Sequence, residues 1–216
     1  MQIPLFPLRT VLFPGMPLPL QIFEERYKAM TRELLASGGE FGVVLIRDGK
    51  EVGGGAIPHD VGTTARIEEC QEVQGGRFVM TARGGRRFRL ISMLEPRPYP
   101  FGEVELMDDS EVITPQVQRA TETVRATFPM YFRLALALTD QWAQGLALPS
   151  RPHALVNFLG PWLQVDEEIK QRLLEIEPPA DRVAQLAEVL DDLLARTRDE
   201  VVDYRRKKFG AIGSAN

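Results

Sequence analysis

The sequence predicts an α+β fold: a barrel of short β-strands followed by a bundle of α-helices. Two observations predict it. Through residue 107, short apolar or alternating runs recur between glycine turns, with one helical segment among them. Regularly spaced short strands of this kind suggest a closed or nearly closed barrel, and closure hides strand edges that invite aggregation. After Asp108-Asp109-Ser110 the texture changes, and apolar residues recur at helical spacing almost to the C-terminus. The expected organisation is therefore a barrel over residues 1–107 with one inserted helix, a helical bundle over 108–209, and a small disordered tail at 210–216.

The opening, Met1 to Tyr27, is apolar yet carries Pro4, Pro7, Pro14, Pro17 and Pro19, which excludes a continuous helix. It reads as two extended segments, Gln2 to Leu8 and Leu18 to Ile22, joined by a turn at Pro14-Gly15. In the second, Leu18, Leu20 and Ile22 alternate with Pro19 and Gln21, and its prolines point to an edge strand or a strand end. Glu24 to Ala36 follows as a helix, with Tyr27, Met30 and Leu34 at helical spacing, and Ser37-Gly38-Gly39 stops it.

Phe41 to Ile46 is a continuous apolar run, as in a strand buried on both faces. Further strands are expected at Val61 to Glu68, Gln71 to Val73, Arg77 to Ala82, Arg86 to Met93 and Phe101 to Met107, with a hairpin turn at Gly75-Gly76. That makes seven or eight strands. Gly53-Gly54-Gly55 is a flexible or bulged passage among them.

In the second half Thr114-Pro115 is a helix start, threonine capping and proline losing no bond at the first position. Pro129 is expected to end or kink that helix, with a second piece from Tyr131 to Gln144 carrying Leu134, Leu138 and Trp142. Another helix opens at Ser150-Arg151-Pro152 and breaks at Gly160-Pro161. Asp166-Glu167-Glu168 places negative charge at the next helix start. A long last helix, Ala180 to Lys208, repeats Val183, Leu186, Leu190, Leu193 and Thr197 in steps of three and four.

Composition narrows the function. A net charge of −4 argues against bulk nucleic-acid binding. One cysteine, Cys70, excludes an intramolecular disulfide and fits a reducing cytoplasm. There is no secretory signal and no run long enough to span a membrane. Phosphate-cradling and GxSxG motifs are absent, so ATP hydrolysis and that form of serine catalysis are not expected. His59 and His153 lie far apart; His59 reads as a loop histidine after Pro58, and Cys70 as a small half-buried thiol. No cofactor or metal is expected.

Arg77, Arg83, Arg86, Arg87 and Arg89 form the densest basic cluster. The favoured reading is a solvated strand face paired with Glu103 and Glu105 of the next strand; a nucleic-acid patch is the alternative. The methionines mostly fall at core-facing positions, but Met16 sits in the Pro14-Gly15-Met16-Pro17 turn, where an exposed apolar tip would contact another polypeptide.

Several segments carry a resemblance. Leu5-Phe6-Pro7-Leu8, Val11-Leu12-Phe13-Pro14-Gly15 and Leu18 to Tyr27 resemble the opening of the N-terminal (LON) domain of the ATP-dependent Lon proteases. Phe41 to Ile46, Val61 to Ile67, Gly85 to Leu90, Tyr99 to Val104, Leu173-Leu174-Glu175 and Asp181-Arg182-Val183 follow in the family's order. The likeness covers roughly residues 2–200, with Gly53-Gly54-Gly55 as a departure. It implies a PUA-like β-barrel followed by a helical bundle, and a part in recognising unfolded polypeptide substrates and in hexamer assembly. It supplies no catalytic residues. With neither an ATPase nor a protease segment present, the chain is expected to be a free-standing member and not an enzyme.

The expected function is a non-catalytic, cytoplasmic module that binds unfolded or apolar polypeptide, in a groove between the halves or on the barrel rim. It would work alongside a separate protease or chaperone. Leu12, Phe13, Met16, Met130, Tyr131 and Phe132 are the candidate apolar contacts. RNA binding through Arg77 to Arg89 is the alternative, since PUA-like barrels elsewhere hold RNA. Glu24, Glu25 and Arg26 are expected to brace the junction between barrel and first helix.

Overall fold

The structure is a computed structural model that describes residues 1–95, 97–109, 113–141 and 146–210. The chain divides into two compact units. One comprises Met1–Asp109 with Asn157–Glu177, the other Ser110–Val156 with Pro178–Asn216. The change of texture near residue 108 coincides with the end of the first segment, but the helices beyond it do not all group together: 157–177 belongs with the strands.

Among the described residues of the strand unit, six strands and one helix precede residue 108: β1 (Gln2–Leu8), β2 (Pro17–Ile22), α1 (Glu25–Ser37), β3 (Phe41–Asp48), β4 (Ile57–Val73), β5 (Arg77–Met93) and β6 (Phe101–Leu106). The sheet order is β2-β5-β4-β3-β1-β6, and β6 pairs back onto β5. Five strands therefore close a ring, unevenly, while β2 stands outside it on the first half of β5. Among the described residues only β1 and β3 pair in parallel; the other strand pairings are antiparallel.

The strands are fewer and longer than the sequence predicts. The runs at 61–68 and 71–73 are one strand, β4, and those at 77–82 and 86–93 are one strand, β5. Register shifts between Thr63 and Ala65 and between Ile67 and Glu69 let β4 bend without breaking. Gly84, in the middle of β5, marks a close approach: a Cβ there would stand 2.3 Å from the Phe13 carbonyl oxygen. β1 is central despite Pro4 and Pro7, because it changes partner midway, pairing with β6 over Gln2 to Pro4 and with β3 from Leu5 onward.

Alternation along β1 and β3 divides their side chains between two cores, so both strands are buried on both faces. Phe6, Leu8, Phe41 and Val43 join a core with Tyr27, Met30 and Leu34 of α1 and Phe78 and Met80 of β5. Ile3, Leu5 and Val44 join Phe88 and Val104 in the other. Phe6 and Tyr27 meet with ring centroids 4.3 Å apart. Helix α1 ends on Gly38 at φ 66°, whose N–H bonds Leu34 O at 2.9 Å. The braced junction takes a specific form: Arg26 pairs with Glu24 at 2.9 Å, and Glu24 accepts from Gly53 N in the glycine passage.

The strand unit also holds the end of α3 (Pro152–Leu159), a 3-10 turn (Gly160–Trp162) and α4 (Glu167–Glu175). Helix α4 is tied to the strands by polar contacts. Glu167 accepts from Val11 N at 2.6 Å, Gln171 donates to Val61 O at 2.9 Å, and Arg87 Nη1 donates to Leu174 O and Ile176 O.

In the helical unit α2 (Pro115–Ala137) packs against α5 (Pro179–Gly210). Thr114 caps α2, accepting from Val117 N at 3.2 Å. Of the two expected outcomes at Pro129, an end to the helix does not occur: the proline lies inside α2, and the expected second piece from Tyr131 is its continuation to Ala137. Buried side chains on both sides of it, Val124 and Phe128 before and Tyr131 and Ala135 after, supply packing that offsets the lost hydrogen bond. On α5 the expected stripe, Val183, Leu186, Leu190, Leu193 and Thr197, is buried. Trp142 and Gln144, and the tail beyond Gly210, lie outside the described residues.

Candidate polypeptide-binding surface

The alternation of β2 builds a two-sided flap with the first half of β5 and the second half of β4. Leu18, Leu20 and Ile22 face inward opposite Ala82, Met80 and Phe78. Pro17, Pro19 and Gln21 therefore face outward, opposite Arg83, Thr81 and Val79. Pro17 and Pro19 are exposed, and Val79 is 47% exposed, a high value for valine. They make a short apolar strip on the outer face of a sheet whose inner face is core.

The loop feeding β2 is held rigidly. Gly15 N donates to Gly84 O at 2.8 Å, Gly84 N to Met16 O at 2.9 Å, and Thr63 Oγ1 to Leu12 O at 2.6 Å. Arg83 donates to Gly15 O at 2.9 Å and pairs with Glu68 at 2.5 Å, which lowers the Glu68 carboxyl below its ordinary range.

This bolting decides the fate of the predicted contacts in the strand unit. Leu12 and Phe13 are buried, not displayed on a loop tip. Phe13 lies under Gly160, where a Cβ would stand 2.5 Å from its ring. Met16 is half-buried and packs on the core beside the strip. In the helical unit Tyr131 is fully buried, Phe132 is half-buried and stacks on Phe128 at 5.5 Å, and Met130 is 38% exposed. Leu12, Phe13 and Tyr131 are thus packing residues; Met16, Met130 and Phe132 keep some surface.

The arginine cluster does not form one face. Arg87 has no solvent exposure and is consumed by Asp109 and the carbonyls closing α4. Arg89 pairs with Glu177 and Arg83 with Glu68, while Arg77 and Arg86 are exposed. The expected pairing with Glu103 and Glu105 is replaced by Glu68 of β4 for Arg83, Asp109 for Arg87 and Glu177, just past α4, for Arg89, although Arg89 and Glu105 are register partners. Asp109 and Glu177 come from beyond residue 107, out of reach of a strand-by-strand reading.

His59 lies on β4, not in a loop, with Nδ1 3.2 Å from Glu175 and Nε2 3.5 Å from Glu168. Burial and the charge of Glu72 push the Cys70 thiol up, which disfavours the thiolate a nucleophile needs. Among the described residues no three His, Cys, Asp or Glu side chains are grouped to hold a metal ion. Among them, too, no helix is long and apolar enough to cross a membrane.

An unevenly closed barrel that shares a core with α1, together with a helical unit, gives the chain an α+β architecture. The chain belongs to the ATP-dependent protease La (LON) substrate-binding domain family, whose model matches residues 2–192. It is 26% identical to a Lon protease of Porphyromonas gingivalis over 96% of this chain and 26% of that protein. It is 26% identical to Lon protease 2 of Myxococcus xanthus over 97% of this chain and 25% of that one. The chain thus spans about a quarter of the length of these relatives. A crystal structure of a Lon N-terminal domain protein from Xanthomonas campestris superposes with a TM-score of 0.63 at 29% identity, covering 86% of this chain and 96% of that one. The N-terminal domain of a Mycobacterium avium complex Lon protease shares the fold, with a TM-score of 0.65 at 19% identity over 90% and 98%.

Proposed function

We propose that this chain is a non-catalytic recognition module that binds unfolded or apolar stretches of polypeptide and presents them to a separate protease or chaperone in the cytoplasm. Membership of a family described as a substrate-binding domain carries this reading. The outer strip of Pro17, Pro19 and Val79, with Met16 beside it, is the contact surface in the strand unit; it is exposed, apolar and mounted on a rigid sheet. Met130 and Phe132 are the second set, in the helical unit. Apolar surface of this kind binds extended chain without sequence preference, because its driving force is desolvation and not a fixed pattern of hydrogen bonds.

The test is direct. A permanently unfolded, carboxymethylated test protein is titrated against the full chain, with its folded counterpart as control. Saturable binding of the unfolded form alone supports the module. No binding of either form up to high micromolar concentration ends the proposal.

A further inference from the structure

The three-stranded flap has two lateral edges, and they differ chemically. One is β2, which among the described residues pairs with β5 alone. Met16 O accepts from Gly84 N, so residue 16 directs its backbone toward β5. By alternation Pro17 and Pro19 direct theirs outward, where neither has an N–H to offer. That edge is closed to an added strand.

The other edge is the second half of β4. Its pairing with β3 ends at Phe41 and Ala65, while its pairing with β5 continues to Val73 and Arg77. From Arg66 to Val73 one side of the strand has no backbone partner among the described residues, and this stretch contains no proline. Its charge is mostly negative. Glu68 is taken up by Arg83, and Arg66 approaches Glu40 at 3.7 Å. Glu69 and Glu72 are exposed and form no ion pair among the described residues. Lys28 has its Nζ near the same glycine, Gly76, as the Glu72 carboxylate, but it is paired with Glu25 at 2.8 Å.

The register places the two free acids. Glu69 lies opposite Thr81 and Glu72 opposite Phe78, so Glu69 is on the outer face of the flap and Glu72 on the inner. We infer that the open edge of β4 over Arg66 to Val73 takes an extended, basic polypeptide segment as an added strand, selecting Lys or Arg at positions i and i+3. This rests on the reading of the chain as a polypeptide-binding module. Main-chain hydrogen bonds supply the affinity, and the residues facing Glu69 and Glu72 supply the preference. Two cations three residues apart point to opposite faces of a strand, as these two acids do; cations two apart cannot meet both. The outer-face residues of the added strand lie beyond Glu69 and Gln71 of β4, on the same face of the flap as Val79 and Pro19. Acidic side chains on an exposed edge also repel acidic strands, including the same edge of another copy, which opposes edge-to-edge pairing of the chain with itself.

The experiment uses the full chain and fluorescein-labelled Val/Thr decapeptides. One carries lysines at i and i+3, one lysines at i and i+2, one glutamates at i and i+3, and one is the first peptide N-methylated at alternate amides. The i,i+3 lysine peptide is expected to bind about tenfold tighter than the glutamate peptide and to protect amides within residues 66–73 from exchange. Glu69→Lys and Glu72→Lys are each expected to weaken it by about threefold, as for exposed ion pairs. N-methylation is expected to abolish binding. Equal affinity for lysine and glutamate peptides, undiminished binding of the N-methylated peptide, or protection elsewhere overturns the inference. If the unfolded carboxymethylated protein binds while the i,i+3 lysine peptide does not, the edge proposal falls and the recognition module stands; if neither binds, both fall.

Discussion

The Arg87 Nη2 atom lies 2.5 Å from Asp109 Oδ1, on an arginine side chain with no solvent exposure. The same guanidinium donates to the carbonyls of Leu174 and Ile176, where α4 runs out of its own hydrogen bonds. One buried cation therefore joins β5, the end of the strand segment and the end of α4. Replacing Arg87 with Ala removes these charged hydrogen bonds and leaves the buried Leu174 carbonyl without this donor, and is expected to cost about 2–4 kcal/mol. Urea unfolding measures it. A loss below about 1 kcal/mol contradicts the clamp, since exposed ion pairs contribute no more than that.

The contact between Phe13 and Gly160 makes a second prediction. A methyl group at residue 160 would stand 2.5–2.7 Å from the Phe13 ring. Gly160→Ala is expected to destabilise by about 1–3 kcal/mol through overpacking. The double variant Gly160→Ala/Phe13→Leu is expected to recover part of the Gly160→Ala loss relative to Phe13→Leu alone. Equal losses in the two backgrounds would show that the two residues are not coupled.

These two relationships show what the sequence made legible and what it did not. Local pattern sufficed for the cap at Thr114, the stop at Gly38, the edge character of β2 and the stripe along α5, because each is set by neighbours within a turn or a strand. The burial of Leu12 and Phe13 is not legible in the sequence, for the opposite reason. Their burial depends on Gly84 and Gly160, whose lack of side chain matters only once distant segments meet. Arg87 reads as one of five surface arginines until Asp109 and α4 arrive beside it. The outward face of β2 at Pro17 and Pro19 is legible from its alternation, whereas Val79 joins them only through the pairing of β2 with β5.

Alkaline stability tests the core. Burial raises the Tyr27 hydroxyl pKa to about 12 from an ordinary 10, with nearby Glu24 and Glu51 adding to the rise and Arg26 opposing it. The neutral form is therefore favoured in the folded state. The stabilisation is fully present below pH 10, where the unfolded tyrosine is also neutral, and is lost as pH rises from about 10 to 12. Tyr27→Phe removes this dependence, and after allowance for solvent screening the slope should fall by roughly 1–2 kcal/mol across the window. Urea titrations at pH 8 and pH 11.5 measure it; an unchanged slope in the variant contradicts the assignment.

The central claim is that the outer face of the flap holds polypeptide, and Val79→Asp addresses it most directly. The side chain is exposed, so the urea midpoint should shift by no more than about 0.5 kcal/mol in stability. Affinity for a fluorescein-labelled, carboxymethylated unfolded protein, followed by anisotropy, should fall about tenfold, the worth of burying one valine side chain. Wild-type affinity in a variant that folds normally would place the contact surface elsewhere and contradict the account.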